Sequence, residues 1–486
     1  MAYRCLLKLP SHSATKPRSI ARYHDYIRAA TPGRTERPYI TFTTHVQPAG
    51  SIRVPLSSPK VIGVVNSRGN RRQILNQVHQ EDFYGFATLS LPPEELRLSL
   101  KRDHGVDWDP SQVGDVLARQ VLFVGIYDGH GGSAVAQYLR QELHGLFESV
   151  DKSLIPELFG WIKEIGGYFK RFKGGAIAPW IDGTNKEEMT LEARATLTFF
   201  EVDKNLSADN AAQACGATAS VAVLQSLDAP ATPFFSAEKL ALTVAHCGDT
   251  RVLLCSTLNG QVFPMTENHY PDARIESIRL RRMMGSSLIT DSYGESRWMG
   301  SLANTRWYVL NTILQNLGDL NYKKFGITPE PEVRSKLLNG REWAFLVLVS
   351  DGISSILSDA EIVDLARGCN DPKTAAERIL AFSEELGGED NATAIVVPLA
   401  GWGKITGPDA TKDLRAYRQK QAVGSERQRL SCEIPSSKYT SLLISPAAPV
   451  SLLSTSGVPA EIQKRGESSA VWGVKPRMNT LPQIRR

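Results

Sequence analysis

Residues 120–132 read QVLFVGIYDGHGG, an apolar run that ends abruptly in Asp128 and a turn with three glycines. The apolar run predicts a buried strand, so an acid is placed at the end of that strand. An ionised carboxylate there is unfavourable by several kcal/mol unless a cation pairs with it. The glycines let the chain turn tightly and bring a main-chain carbonyl close to an ion.

Acids flank other apolar runs in the same way. Residues 343–349 (WAFLVLV) stop at Ser350-Asp351-Gly352, and Glu389-Asp390-Asn391 lies just before the run 394–397. The acid pair Glu81-Asp82 precedes a further apolar run. A single Asp-Gly pair is more typical of a solvent-exposed turn. The recurrence instead indicates a site for a hard divalent ion such as Mg²⁺ or Mn²⁺, which prefers carboxylate and carbonyl oxygens.

Charge is unevenly distributed along the 486 residues. Residues 1–60 contain 10 basic and 2 acidic residues, and residues 401–486 contain 14 and 6, which leaves 32 and 43 for residues 61–400. An acidic middle suits a dication site and argues against a nucleic-acid-binding core. No apolar stretch approaches the roughly 18 residues of a membrane span. The scattered cysteines indicate neither a zinc site nor a disulfide framework.

These patterns predict three parts. We expect a basic N-terminal segment (1–60), a globular domain (61–400) and a basic, largely disordered tail (401–486) with a short helix within 409–429. The first 40 or so residues are rich in Arg, Ser and Thr, as a mitochondrial presequence is. A disordered basic tail is the alternative, and it would leave the protein in the cytoplasm.

Local signals predict helices in the globular domain. Ser133 is placed to cap a helix after the glycine turn, Ser358-x-x-Glu361 is a capping box, and Asp371-Pro372 starts a further helix. Residues 151–190 contain paired glycines and a Lys/Arg cluster. We interpret them as an insertion between helices.

The chain resembles the protein phosphatase 2C family, the metal-dependent serine/threonine phosphatases. Any one match is weak, but eight occur in the family's order. They are Gln80-Glu81-Asp82, Asp128-Gly129-His130-Gly131-Gly132, Gly216-Ala217-Thr218-Ala219, Cys247-Gly248-Asp249-Thr250-Arg251, Asn268-His269-Tyr270-Pro271, Gly300-Ser301-Leu302-Ala303-Asn304-Thr305-Arg306, Ser350-Asp351-Gly352 and Glu389-Asp390-Asn391.

The resemblance implies an α+β fold: a four-layer α/β/β/α sandwich with two central antiparallel sheets and a metal site at one edge. It implies two Mg²⁺ or Mn²⁺ ions bridged by Asp128, and a weaker third ion at Asp249, for which a turn cap is the alternative role. The implied metal ligands are Glu81, Asp128, Gly129 (through its carbonyl), Asp249, Asp351 and Asp390.

The resemblance also implies catalytic roles. Asp82 would orient the attacking water, His130 would donate a proton to the leaving hydroxyl, and Arg71 would hold the phosphate; a turn-stabilising role is the alternative for His130. The sequence departs from the family where 72–77 separate Arg71 from Glu81, which leaves Arg72 as a second candidate. Residues 307–316 form another insertion, and we expect their removal to raise activity. Both insertions are either true loops or retained introns.

The leading hypothesis is therefore a protein serine/threonine phosphatase that hydrolyses phosphoserine and phosphothreonine by attack of a metal-bound water at a two-metal centre. The alternative is a non-catalytic adaptor on the same fold that binds phosphoproteins. We expect phosphoprotein substrates, no nucleic acid and a monomer. The basic N-terminus together with this domain resembles mitochondrial members of the family.

Overall fold

A computed structural model of the chain describes residues 39–44, 50–69, 80–113, 115–270, 273–281, 288–290, 296–298 and 315–422. All of them lie in the compact unit Met1–Ser425. The strands in chain order are β1 (Tyr39–Thr44), β2 (Gly50–Pro55), β3 (Gly63–Ser67), β4 (Asp82–Ser90), β5 (Gln120–His130), β6 (Gly216–Ser226), β7 (Lys239–Cys247), β8 (Arg251–Ser256), β9 (Val262–Pro264), β10 (Leu288–Thr290), β11 (Ser296–Trp298), β12 (Leu317–Gly318), β13 (Glu332–Asn339), β14 (Trp343–Val349) and β15 (Ala392–Pro398).

Helices cover both outer faces of the sheets. They are α1 (Pro93–His104), α2 (Asp115–Ala118), α3 (Ala134–Tyr138), α4 (His144–Ser149), α5 (Ile155–Ile165), α6 (Leu191–Leu206), α7 (Arg274–Arg281), α8 (Asp351–Ser354), α9 (Asp359–Ala366), α10 (Pro372–Glu385) and α11 (Lys412–Ala422). A π-helical turn, Leu139–Leu143, joins α3 to α4. Within the described ranges, none of these helices combines the length and the apolar character that crossing a bilayer requires.

Two antiparallel sheets form the centre of the domain. The larger has the strand order β13-β7-β6-β5-β4, with β12 paired to β6, and the smaller has the order β3-β15-β14-β8-β9. Apolar side chains from both sheets, such as Val124, Val244 and Leu346, form one buried layer between them. Two further buried clusters lie under the helices on the two outer faces. The predicted four-layer α/β/β/α sandwich is confirmed.

The folded region extends beyond the expected limits of 61 and 400. Strands β1 and β2 form a hairpin, and Gln120 of β5 exchanges two hydrogen bonds with the backbone of Thr41 at 3.0 and 2.8 Å. Ile40 and Leu56 are buried in the layer between the sheets. On the other side of the domain, Arg418 of α11 bonds Glu361 at 2.7 Å. The basic composition of the N-terminal segment conceals the hairpin, whereas α11 lies within the stretch 409–429 that was predicted to contain a short helix.

The local helix signals had mixed outcomes. The capping box of Ser358 and Glu361 is confirmed, and Asp371 caps α10 by accepting a hydrogen bond from the Thr374 amide. The Ser133 cap was wrong: α3 begins after this residue, but the Ser133 side chain makes no capping hydrogen bond because its backbone is already helical. The segment 151–190 is a helical insertion with its own apolar cluster, which packs against α6.

Candidate active site

Strand pairing brings acids from both sheets to one edge of the sandwich. Asp82 at the start of β4 lies directly opposite Asp128 of β5 in the antiparallel register. Asp351 begins α8 immediately after β14, and its backbone amide lies 3.4 Å from Asp128 Oδ2. Asp249 occupies the turn between β7 and β8. Asp82, Asp128 and Asp351 belong to the strand ends that the apolar runs predict, and the structure adds Asp249 to them.

Asp82 is held from the opposite sheet. Its side chain is fully buried, and Oδ2 accepts hydrogen bonds from Ser350 Oγ at 2.6 Å and Thr393 Oγ1 at 2.8 Å. No group in the described part of the chain hydrogen-bonds Oδ1, which is also buried. Burial raises the pKa of Asp82 to about 7, although the two hydroxyls oppose the rise. This carboxyl therefore has one fixed oxygen and one oxygen without a partner.

Mutual repulsion marks the neighbouring acids. Removal from water, and then the charges of Asp351, Asp82 and Asp249, raise the pKa of Asp128 well above its usual value. Burial and the charge of Asp351 raise the pKa of Asp249 to about 8. Tyr270 donates a hydrogen bond to Asp249 Oδ2 at 3.3 Å, whereas Oδ1 is buried and has no hydrogen-bond partner among the described residues.

Asn391 ties the remaining predicted ligands to this edge. Its Oδ1 accepts a hydrogen bond from the Glu81 backbone amide at 2.7 Å, and the Asn391 backbone amide donates to Asp390 Oδ1 at 2.8 Å. The Gly129 amide donates to the Glu81 carbonyl at 3.1 Å. A side chain at position 129 would place its Cβ 2.7 Å from that carbonyl oxygen, so this close approach requires glycine.

His130 is paired with an acid that the sequence did not single out. Its Nε2 lies 2.7 Å from Asp319 Oδ2, which also accepts a hydrogen bond from Asn316 Nδ2 at 2.7 Å. Burial opposes the protonated ring, but the Asp319 carboxylate outweighs it and raises the pKa of His130. The signal for Asp319 was its place directly after Leu317-Gly318, at the far end of the 307–316 insertion.

Comparison with known proteins identifies the family of this chain. The protein phosphatase 2C family model matches residues 111–392, which include Asp128, Asp249, Asp351 and Asp390. The chain belongs to the protein phosphatase 2C family. Its members are protein serine/threonine phosphatases. The family match begins after Glu81-Asp82, so the placement of that pair rests on the structure.

Two curated relatives illustrate the similarity. Protein phosphatase 2C homolog 4 of Schizosaccharomyces pombe is 32% identical over 60% of this chain and 75% of its own length. Protein phosphatase 1K, mitochondrial, of Xenopus laevis is 31% identical over 59% of this chain and 63% of its own length. A solved serine-threonine phosphatase 2C from Toxoplasma gondii aligns with 75% of this chain and 99% of its own at 16% identity, with a TM-score of 0.44.

The acids of this phosphatase suit a hard dication chemically. The repulsion around Asp128, and the Asp249 oxygen that has no hydrogen-bond partner among the described residues, would both be relieved by a bound cation. Within the described ranges, however, no three His, Cys, Asp or Glu side chains are gathered closely enough to enclose an ion. The carboxylates face one another at the sheet edge and do not form a closed cage.

The predicted phosphate-binding arginine lies outside the described residues. Arg71, its alternative Arg72 and the insertion 72–77 all belong to the range 70–79. The strand that leads to them is anchored at the site, because the Arg68 carbonyl accepts a hydrogen bond from Asn391 Nδ2 at 2.9 Å. Of the insertion 307–316, only Gln315 and Asn316 are described.

Proposed function

We propose that this chain is an active phosphatase that requires Mg²⁺ or Mn²⁺ and acts on phosphoserine and phosphothreonine in proteins. The observation that carries the proposal is the convergence of Asp82, Asp128 and Asp249 beside the His130–Asp319 pair. Repelling, partly desolvated carboxylates stabilise nothing in the chain by themselves. They become favourable when a cation binds, as a catalytic site requires.

Six groups would hold the ions. Asp128 would contact both ions of a pair, and Asp249 would hold a weaker third. When bound, such ions supply the positive charge and the acidified water that hydrolysis of a phosphate monoester needs. The other members of the set are Glu81, the Gly129 carbonyl, Asp351 and Asp390.

The chain's own groups would handle the protons. Asp82, fixed through Oδ2, has Oδ1 left to accept a hydrogen bond from the attacking water. The water oxygen attacks phosphorus and passes one proton to Asp82 Oδ1, and the bond from phosphorus to the serine or threonine oxygen breaks. His130 donates a proton to that departing oxygen; because Nε2 faces Asp319, the donated proton is the one on Nδ1. A forked arginine contact from Arg71 would hold the phosphate oxygens.

A Mn²⁺ titration of phosphate release from a phosphothreonine peptide tests this function. We expect turnover that requires Mn²⁺ and is absent in Asp128→Asn, because the variant loses a charged ligand shared by two ions. A small sugar phosphate serves as the comparison substrate and should react far more slowly than the peptide. Peptide binding without any phosphate release at saturating Mn²⁺ would favour the adaptor instead.

We further propose that the protein acts in mitochondria, as a monomer. Two observations support the location: the basic, acid-poor composition of the N-terminal segment and the word "mitochondrial" in the name of the Xenopus relative. Fusion of residues 1–38, which precede β1, to a fluorescent reporter tests the location. We expect the reporter to enter mitochondria, and a cytoplasmic reporter would contradict the proposal. Sedimentation of the purified chain tests the monomer.

A further inference from the structure

A buried ion pair lies behind the His130–Asp319 pair. Asp203 is on α6, and Lys323 is in the 3₁₀ turn Leu320–Phe325. Lys323 Nζ lies 2.8 Å from Asp203 Oδ2, and both side chains are about 1% exposed. Neither residue is one of the acids at the sheet edge, and neither takes part in the proton transfers assigned to Asp82 and His130. Two charges withdrawn from water this completely need each other and further hydrogen bonds to be tolerated.

Those further hydrogen bonds all go to the segment that carries Asp319. Asp203 Oδ1 accepts from the Gly318 amide at 2.8 Å, directly before Asp319. Lys323 Nζ donates to the Asn316 carbonyl at 2.6 Å, and the Asn316 side chain donates to Asp319 Oδ2. The ion pair thus fixes the backbone on the N-terminal side of Asp319 at two points.

The backbone of Asp319 needs such fixing. Asp319 has φ 50° and ψ 41°, a left-handed conformation that non-glycine residues rarely adopt and that persists only where the surroundings enforce it. Its amide donates to the Cys215 carbonyl at 2.8 Å, which continues the pairing of β12 with β6. Gly216, opposite His130 in the register, has no room for a Cβ, which would lie 2.5 Å from His130 Nε2. Because Asp319 Oδ2 lies 2.7 Å from His130 Nε2, a shift of the Asp319 segment would disturb the histidine directly.

We propose that Asp203 and Lys323 are positioning residues that hold Asp319, and through it His130, in the geometry for proton donation to the leaving serine or threonine oxygen. The inference rests on the proposed function, since it assigns the pair to one step of that reaction. It has a specific consequence. Loss of the pair should slow substrates whose leaving oxygen needs a proton and spare substrates whose leaving group does not.

Two substrates with different leaving groups test the proposal. We would measure kcat at saturating Mn²⁺ for a phosphothreonine peptide and for p-nitrophenyl phosphate. The threonine oxygen needs a proton to leave, whereas the p-nitrophenolate is stable without one. The variant is Asp203→Asn/Lys323→Met, which removes both charges, keeps the volume and retains an acceptor for the Gly318 amide. We expect kcat for the peptide to fall by roughly ten- to a hundredfold, as displacement of a catalytic group by about 1 Å does. We expect kcat for p-nitrophenyl phosphate to change little.

A second buried ion pair supplies the matched control. Arg194 and Glu95, only 2% and 3% exposed, lie 2.6 Å apart on α6 and α1, and Arg194 also bonds the Phe147 and Val150 carbonyls. Glu95→Gln/Arg194→Met should leave the ratio of the two kcat values unchanged. Lys323→Arg with Asp203 intact, which keeps both charges, should have nearly the parent ratio. Where the first double variant does not fold, Asp203→Asn/Lys323→Gln replaces it, because it also removes both charges and keeps a side-chain amide donor at position 323.

The outcomes separate this inference from the proposed function. A parent that releases phosphate from neither substrate would reject the function itself. A parent that is active, with equal fractional losses on both substrates in the Asp203/Lys323 variant, would overturn the positioning role alone. The same loss of the ratio in the Glu95/Arg194 variant would also overturn it, because a general loosening of the helical layer would then explain the effect.

Discussion

Two regions of this molecule contain buried acids whose partners differ. In the helical layer, Glu95 bonds Arg194 through two oxygens at 2.6 and 2.9 Å, so the chain supplies the counter-ion. At the sheet edge, Asp82 bonds only hydroxyls and repels its acidic neighbours. The first arrangement stabilises a fold as it stands. On the proposed function, the second would gain stability when a cation binds, and that difference would separate structural acids from functional ones.

The largest expected effect comes from removing charge at the sheet edge. Asp128→Asn should abolish Mn²⁺-dependent phosphate release and, in the metal-free protein, raise the thermal unfolding temperature, because it removes a repelling carboxylate. Calorimetry with and without Mn²⁺, beside the peptide assay, measures both. Asp351→Asn and Asp390→Asn should lose activity in the same way. Activity of Asp128→Asn within tenfold of the parent would contradict the two-metal assignment.

The His130–Asp319 pair is intermediate between the two regions, because the counter-ion of Asp319 is a histidine whose charge depends on pH. His130→Gln should reduce kcat for a phosphothreonine peptide by roughly 10²- to 10⁴-fold, as the loss of a general acid does. The loss on p-nitrophenyl phosphate should be much smaller, because its leaving group needs no proton. Comparable losses on the two substrates would return His130 to the turn-stabilising role.

The opposite behaviour is expected in the helical layer. Arg194→Met should lower the free energy of unfolding by about 3–5 kcal/mol, since Glu95 is left buried without its partner. Arg194 also bonds the Phe147 and Val150 carbonyls at the end of α4, and these acceptors would be unsatisfied as well. Urea denaturation measures the loss, and kcat of the folded fraction should match the parent. A gain in stability would break the comparison.

The pH dependence of stability distinguishes the two regions further. Asp82 and Asp249 have folded-state pKa values of about 7 and about 8, above their ordinary value of 3.8, so the folded metal-free protein holds protons that the unfolded chain releases. Its stability should therefore fall as pH rises from about 4 to about 8. Thermal unfolding measured across that range with EDTA should show the fall, and saturating Mn²⁺ should flatten it. Glu330 is half-buried, and its partial burial raises its pKa to about 7, which gives the same sign; Glu330→Gln is therefore the control for the part of the fall that Mn²⁺ does not remove.

The sequence predicted the sheet edge better than its supports. Apolar runs mark where strands end, so Asp82, Asp128 and Asp351 can be grouped from the sequence alone. The ligand roles of Asp128 and Asp351, and the water-orienting role of Asp82, stay predictions. Asp319 could not be grouped with them, because it is 189 residues from His130 and reaches it only through the pairing of β12 with β6. The β1–β2 hairpin was missed for another reason: its alternating strand pattern lies within a basic tail.

The smallest effect concerns how much of the 307–316 stretch is dispensable. We expected the whole stretch to be removable, but its last two residues are built into the domain. Asn316, 1% exposed, bonds Asp319, whereas Gln315 bonds Glu276 Oε1 at 2.7 Å, away from the histidine.

Asn316→Ala should reduce kcat for the peptide by about tenfold, the lower end of what one hydrogen bond to a charged acceptor contributes. Gln315→Ala should lower the unfolding temperature about as much as Asn316→Ala does, and it should leave kcat unchanged. Equal kcat for the two variants would mean that Asp319 is held without Asn316. A lower kcat in Asn316→Ala alone would limit the deletion expected to raise activity to residues 307–314.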